Sequence, residues 1–262
     1  MQKTIFYQGD QINIVGSDAD PYFMSISSED HTNDFYATAL AMMPKDGVMF
    51  DVGANVGLTA VMAASHAAMV YAFEPSPITF KHLTETVLAN GLSERIRLIN
   101  RGLSDHDGDL TFFQDPTSGS ASHIITSSTL ARASDIRVPV QTLDSFAQQQ
   151  GITRLDLIKI DVEGFEIDVL RGAKETIERL RPSALIEFNA FTMVGFRNIN
   201  PRDMLALIRE TFPFVYRWKD GAASPIENDA DALAFIHDNL VSIGCVDDLL
   251  GSFRPLQSLT GG

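Results

Sequence analysis

From Val48 onward, short apolar runs alternate with helix-patterned segments, and no other feature constrains the fold as much. "VMFDVG" and "MVYAFEP" are continuous apolar runs, as expected of strands buried on both faces of a parallel sheet. Between them, "LTAVMAASHAA" is a small-residue segment suited to a helix lying close against a sheet. "SPITFKHLTETVLANG" carries its own helix punctuation, with Ser76 as N-cap, Pro77 at the first helical position and Asn90-Gly91 at the end. "RIRLINRGL" supplies a third strand. The pattern is βαβαβ, whose crossovers are right-handed.

The alternation loosens and then resumes. "GDLTFF" and "IRVPVQTL" read as strands flanking "QDPTSGSASHIITSSTLARAS", a Ser/Thr-rich stretch expected to form a loop over the site. "LDLIKIDVEG" predicts a strand, "FEIDVLRGAKETIERL" an amphipathic helix and "PSALIEFN" another buried strand. "PRDMLALIRETF" predicts a helix after Asn200, and "FVYRWKDG" a strand ending in a turn. "DADALAFIHDNLVSIGCVDDLL" begins as a helix. The class is α/β, an open, mostly parallel sheet with helices on both faces. Residues 1–45 are expected to form an N-terminal extension or cap, irregular up to a helix over Thr32–Met43, and residues 46–262 the main domain.

Composition limits the partners. The net charge of −14 repels phosphate backbones and anionic membranes, so neither nucleic acid nor a membrane surface is expected. No apolar run approaches 18 residues, and "MQKTIFYQGDQ" lacks the apolar stretch of a signal peptide. The single cysteine, Cys245, excludes internal disulfides and suits a reducing, cytoplasmic setting. The sequence leaves a homo-oligomer open.

The glycine turn in "FDVGANVG" indicates the ligand. Ligands of such sheets sit beyond the carboxyl ends of the strands, where Gly53 and Gly57 fall. A phosphate-cradling P-loop needs Gly-Lys-Ser/Thr, whereas Leu58 and Thr59 follow Gly57. A dinucleotide turn needs a further glycine in register, and none is present. Asp51, just before the turn, would oppose a pyrophosphate but suits the ammonium of S-adenosylmethionine. Glu74 lies 21 positions after Gly53 (74 − 53), the spacing at which a carboxylate can accept both hydroxyls of a ribose. That spacing serves S-adenosylmethionine and NAD alike. Adenine is expected against the end of the third strand, near Gly102, Leu103, Ser104 and Asp105.

"FDVGANVGLTAVMAA", "VYAFEPSPITFKHLTETVLANGL", "NRGLSDHDGDLTFF" and "LDLIKIDVEGFEIDVLRGA" together resemble the FkbM-type S-adenosylmethionine-dependent methyltransferases, over roughly residues 46 to 190. The resemblance implies a class I methyltransferase fold, Rossmann-like, with a seven-stranded sheet whose last strand is antiparallel. It implies O-methyl transfer to a hydroxyl of a small molecule or glycan. It also implies that Asp51, Gly53, Asn55 and Gly57 form the cofactor loop and that Glu74 holds the ribose.

Methyl transfer to an alcohol needs alignment of acceptor, carbon and sulfur, and a base for the departing proton. Asp161, at the end of "KID", is the first candidate base, and His123, in the Ser/Thr-rich stretch, is the alternative. Glu163 and Glu166 are better placed to start a helix. Asp161 and Glu187, at neighbouring strand ends with Asn189 close by, offer oxygen ligands suited to Mg²⁺. His31 is a candidate cofactor contact from the N-terminal side. Two other readings stay open: an NAD-dependent oxidoreductase, and a non-catalytic binding protein of the same fold.

Overall fold

A computed structural model describes residues 1–27, 40, 42–113, 135–219 and 221–256, and the backbone of residues 123–125. The helix expected over Thr32–Met43 lies largely outside the described residues, as does His31.

The chain opens with β1 (Gln2–Tyr7) and β2 (Asp10–Val15), an antiparallel hairpin where the sequence reading expected irregular chain. Gln8 and Gly9 both take positive φ, 52° and 86°, the backbone of a two-residue primed turn. Gln-Gly is a weak form of that turn signal, which is why the hairpin was not read. The strand period is nevertheless present, since Ile5, Tyr7, Ile12 and Ile14 all point inward and are buried. Asp20 caps the short α1 (Pro21–Ser25). The hairpin is bonded to the main body by Asn13 and Asn90, whose side chain both accepts from the Asn13 amide (2.9 Å) and donates to its carbonyl (2.7 Å).

The predicted alternation follows as β3 (Val48–Val52), α2 (Leu58–Ala64), β4 (Met69–Phe73), α3 (Pro77–Ala89) and β5 (Ile96–Ile99). The segment "RIRLINRGL" breaks at Asn100. Its second half, β6 (Gly102–Leu103), leaves the main sheet and joins β7 (Gly108–Phe113), β8 (His123–Ile125) and β9 (Ile136–Gln141) in a four-stranded sheet of order β6-β9-β7-β8. Next come α4 (Leu143–Gln149), β10 (Leu157–Ile160), α5 (Glu166–Arg171) and α6 (Lys174–Leu180). The sequence reading took α5 and α6 as one helix. The break falls at Gly172, where a Cβ would sit 1.9 Å from the Ser104 carbonyl oxygen, so the chain passes too close to that loop for any side chain. The chain ends with β11 (Ser183–Asn189), α7 (Ala190–Arg197), α8 (Pro201–Thr211), β12 (Phe214–Lys219), β13 (Ala222–Pro225), α9 (Asp229–Val241) and β14 (Val246–Ser252).

The main sheet has the order β13-β12-β14-β11-β10-β3-β4-β5. It carries eight strands rather than the expected seven. β13 is the addition, the return arm of a hairpin with β12 at the sheet edge. The last strand, β14, runs antiparallel between β11 and β12. The five strands from β11 to β5 are mutually parallel. Two large apolar clusters among the described residues cover most of the sheet. One joins Phe50, Phe73, Phe146, Ile158, Ile186 and Phe188. The other joins Met49, Val70, Met62 and Leu83 with Ile5, Ile14 and Phe23, so the N-terminal hairpin shares the main core. No helix among the described residues is long and apolar enough to cross a membrane.

Candidate active site

The carboxyl ends of β3, β4, β10 and β11 open onto one cleft of about 310 Å³. The strand order reverses there, since β3 pairs with β4 on one side and with β10 on the other, and an open α/β sheet leaves a crevice at such a point. Among the described residues, the cleft's charged lining consists of Glu74, Arg101, Lys159, Asp161, Glu163 and Glu187.

The turn after β3 is shaped by close approach. Gly53 has φ 80°, and a Cβ there would lie 1.8 Å from the Asp161 carbonyl oxygen. Two loops, one following β3 and one following β10, are thus packed backbone to backbone. Asn55 takes φ 50°, which asparagine tolerates better than most residues. Gly57, at φ 94°, packs against α3: a Cβ there would lie 2.7 Å from Leu83. Gly53 and Asn55 line the cleft, whereas Gly57 lies outside the lining and sets the helix behind it.

Glu74 stands at the end of β4 and lines the cleft. Its Oε2 accepts from the Asn55 amide (3.1 Å) and its Oε1 from the Ser76 amide (2.8 Å). Each oxygen keeps a second lone pair for a ligand. Burial pushes the carboxyl up to about 7, against the pull of those two amides.

Asp51 does not face the cleft as the sequence reading expected. It is fully buried, one layer below. Its partner is Lys159, opposite it in the β3–β10 register, with Nζ 3.4 Å from Asp51 Oδ1. The same ammonium donates to the Gly53 carbonyl (2.8 Å) and lies 3.2 Å from Asp161 Oδ2. Burial raises the Asp51 carboxyl, and Lys159 opposes that rise. Lys159 was missed in the sequence. Its signal was a lysine inside the buried run "LIKI", which requires a counter-charge because lysine is almost never fully buried unpaired.

Asp161, Glu163 and Glu187 converge at the other end of the cleft, with ligand oxygens within 4.8 Å of one another. Burial raises the Glu163 carboxyl to about 8, helped by Asp161 and Glu166. Burial and the neighbouring carboxylates hold Glu187 well above its usual value. Burial, with Asp161 next, raises Asp248 behind them to about 7. Glu166 is not in the lining. Its Oε1 accepts from the amides of Val162 (3.0 Å) and Gly164 (3.2 Å) and so braces the turn that presents Glu163. Asn189 is also used elsewhere, accepting from the Thr192 amide at the start of α7 (3.2 Å).

Leu103 and Gly102 line the cleft near Glu74, but Ser104 is fully buried behind it, with its amide bonded to the Gln141 carbonyl. Asp105 turns away to His106 at 2.6 Å. His123 begins β8, opposite Phe113. Most of the Ser/Thr-rich stretch around it lies outside the described residues. Tyr22 of α1 lines the cleft from the N-terminal hairpin, and burial pushes its phenol up to about 12. No sequence pattern marked it, because its position depends on how the hairpin docks.

The chain is similar to the hexuronic acid methyltransferase AglP of Haloferax volcanii, 26% identical over 166 residues, which are 63% of this chain and 63% of that protein. It is similar to the 2-O-methyltransferase NoeI of Sinorhizobium fredii, 28% identical over 52% of this chain and 61% of that one. It is similar to the 31-O-demethyl-FK506 methyltransferase FkbM of Streptomyces tacrolimicus, 30% identical over 49% and 60% respectively. The chain thus spans about six-tenths of the length of these relatives. In fold it resembles the crystal structure of methyltransferase FkbM from Methylobacillus flagellatus, with a TM-score of 0.50 at 14% identity, covering 81% of this chain and 47% of the other. The model of the methyltransferase FkbM domain matches residues 51–218, a span that runs from Asp51 beneath the cleft through Glu74, Lys159, Asp161 and Glu187 to the end of β12. The chain therefore belongs to the FkbM methyltransferase family.

Proposed function

We propose that the protein transfers a methyl group from S-adenosylmethionine to a hydroxyl of a glycan or small molecule. One observation carries the reading: Glu74 and Asp161, from strand ends on either side of β3, face a single cleft across the Gly53 turn. Glu74 would accept the two ribose hydroxyls on its remaining lone pairs. Gly102 and Leu103 would border the adenine, and the Gly53–Asn55 turn the amino-acid end. The bound cofactor supplies an electrophilic methyl on a sulfonium. Asp161 takes the acceptor's proton, and the backbone contact at Gly53 fixes its distance from the cofactor turn. The relatives named for 2-O and 31-O methylation support oxygen as the acceptor atom. We place the activity in a reducing, cytoplasmic compartment on the strength of the lone Cys245.

A divalent cation is a second component of this reading. Among the described residues, Glu187 Oε2 is buried with no hydrogen-bond partner, and carboxyl oxygens of Asp161, Glu163 and Glu187 lie within 4.8 Å of one another. These three would hold Mg²⁺, which would polarise the acceptor hydroxyl.

The test is transfer of labelled methyl from S-adenosylmethionine to a panel of neutral sugars, deoxysugars, hexuronates and macrolide alcohols, with and without EDTA. The reading expects labelled ether from at least one acceptor, with His123→Ala retaining more activity than Asp161→Asn. Binding of NAD⁺ in place of S-adenosylmethionine would overturn it.

A further inference from the structure

Methyl transfer from a sulfonium destroys a positive charge, so a cleft that grips that charge too strongly favours the substrate over the transition state. The charge beneath this cleft is therefore a functional quantity. Asp51 lies on β3 and Asp161 just past the end of the adjacent β10, and Lys159 stands between them at 3.4 and 3.2 Å. With both carboxyls ionised, the three sum to one negative charge. Without Lys159, and with both carboxyls still ionised, they would sum to two. Arg101, the other cation in the described lining, donates to Gln141 (2.8 Å).

We propose that Lys159 is a specificity-determining residue that limits how strongly the cleft prefers a sulfonium to a neutral thioether. The inference rests on the proposed function and extends it. Lys159 would act through Asp51 and Asp161 and through field alone, as a charge fixed in the floor. Its amphipathic stem occupies an apolar strand, so the ammonium is placed by β10 and not by a mobile side chain. A unit charge within about 10 Å of a ligand, at an effective dielectric of about 20, changes binding of a cation by roughly tenfold and leaves a neutral ligand unaffected. The other carboxylates around this floor among the described residues, Glu74, Glu163, Glu166, Glu187 and Asp248, are the same in every variant below.

The experiment is calorimetric titration of the full chain, in EDTA so that no divalent cation adds charge at Asp161, with S-adenosylmethionine and, separately, S-adenosylhomocysteine, which differ by the methyl and the charge. For Lys159→Met, the ratio of the two dissociation constants is expected to move roughly tenfold toward the sulfonium. For Asp51→Asn, it is expected to move by a similar factor the other way. The double variant Asp51→Asn/Lys159→Met restores a single negative charge and is expected to return the ratio to within threefold of wild type. Should Lys159→Met fail to fold, Asp51→Asn and the double variant still decide the matter. A ratio unmoved by the single variants, or affinities for both ligands falling in step, would overturn the inference and leave Lys159 as a structural ion pair. Wild type that binds neither ligand would instead overturn the proposed function.

Discussion

Replacing Glu74 with glutamine tests the cofactor reading and its proton linkage together. In the free protein both Glu74 oxygens accept backbone amides, at 3.1 and 2.8 Å, and the buried carboxyl sits at about 7. Two ribose hydroxyls would add two charge-assisted hydrogen bonds, each worth about 1.5–3 kcal/mol. Glutamine keeps one acceptor oxygen and turns an NH₂ toward an amide that needs an acceptor. At least one strong bond is lost, so S-adenosylhomocysteine should bind roughly tenfold to a hundredfold more weakly. The pH dependence has a definite sign. Ligand hydroxyls favour the ionised form, so binding expels the proton held by a group with a pKa near 7. From pH 8 to pH 6, affinity should therefore fall by about tenfold in wild type and stay flat in Glu74→Gln. Titration calorimetry in two buffers of different ionisation enthalpy would show the released proton directly. Wild-type affinity in the variant, or a flat wild-type profile between pH 6 and 8, would refute the assignment.

Gly53→Ala should abolish cofactor binding and lower the melting temperature. Its Cβ would meet the Asp161 carbonyl at 1.8 Å, and its φ of 80° adds about 1–2 kcal/mol of backbone strain. Asp161→Asn should cut turnover by at least about a hundredfold while shifting the S-adenosylhomocysteine dissociation constant less than threefold, a split that follows from general-base catalysis. The raised carboxyls of Glu163, Glu166 and Asp248, at about 8, 7 and 7, bind protons more tightly folded than unfolded. Their stabilisation is complete below the unfolded values near 4–4.5 and is lost as pH rises through 7 to 8, so urea denaturation should show a less stable ligand-free protein at pH 8 than at pH 5.5. Glu187→Gln removes a like charge from that group and should reduce the slope.

The parallel half of the fold was readable because each buried strand is a continuous apolar run and two of its helices announce their starts. Ser76 and Asn200 cap helices where the sequence placed them, whereas the helix Leu143–Gln149, capped by Thr142, was not read. What was not readable depended on tertiary approach. Gly172 breaks one helix in two only because the Ser104 loop lies against it. The Gln8-Gly9 turn hid a hairpin, and with it Tyr22. At the site, Gly53 and Glu74 from their spacing, Leu103, Asp161 and Glu187 from strand ends, and Asn55 from the family resemblance all fall in the cleft lining. Spacing alone could not tell a carboxylate facing the ligand from one facing the strand beside it. Asp51 is the second kind, since its register partner is Lys159. Ser104 follows Leu103 just past the end of β6, and it is buried outside the lining.

The most direct trial of the account is titration of the wild-type protein with S-adenosylmethionine, S-adenosylhomocysteine and NAD⁺ under identical conditions. The account predicts saturable one-to-one uptake of both sulfur compounds and no heat of binding from the dinucleotide. Tight uptake of NAD⁺ with none of S-adenosylmethionine would contradict it.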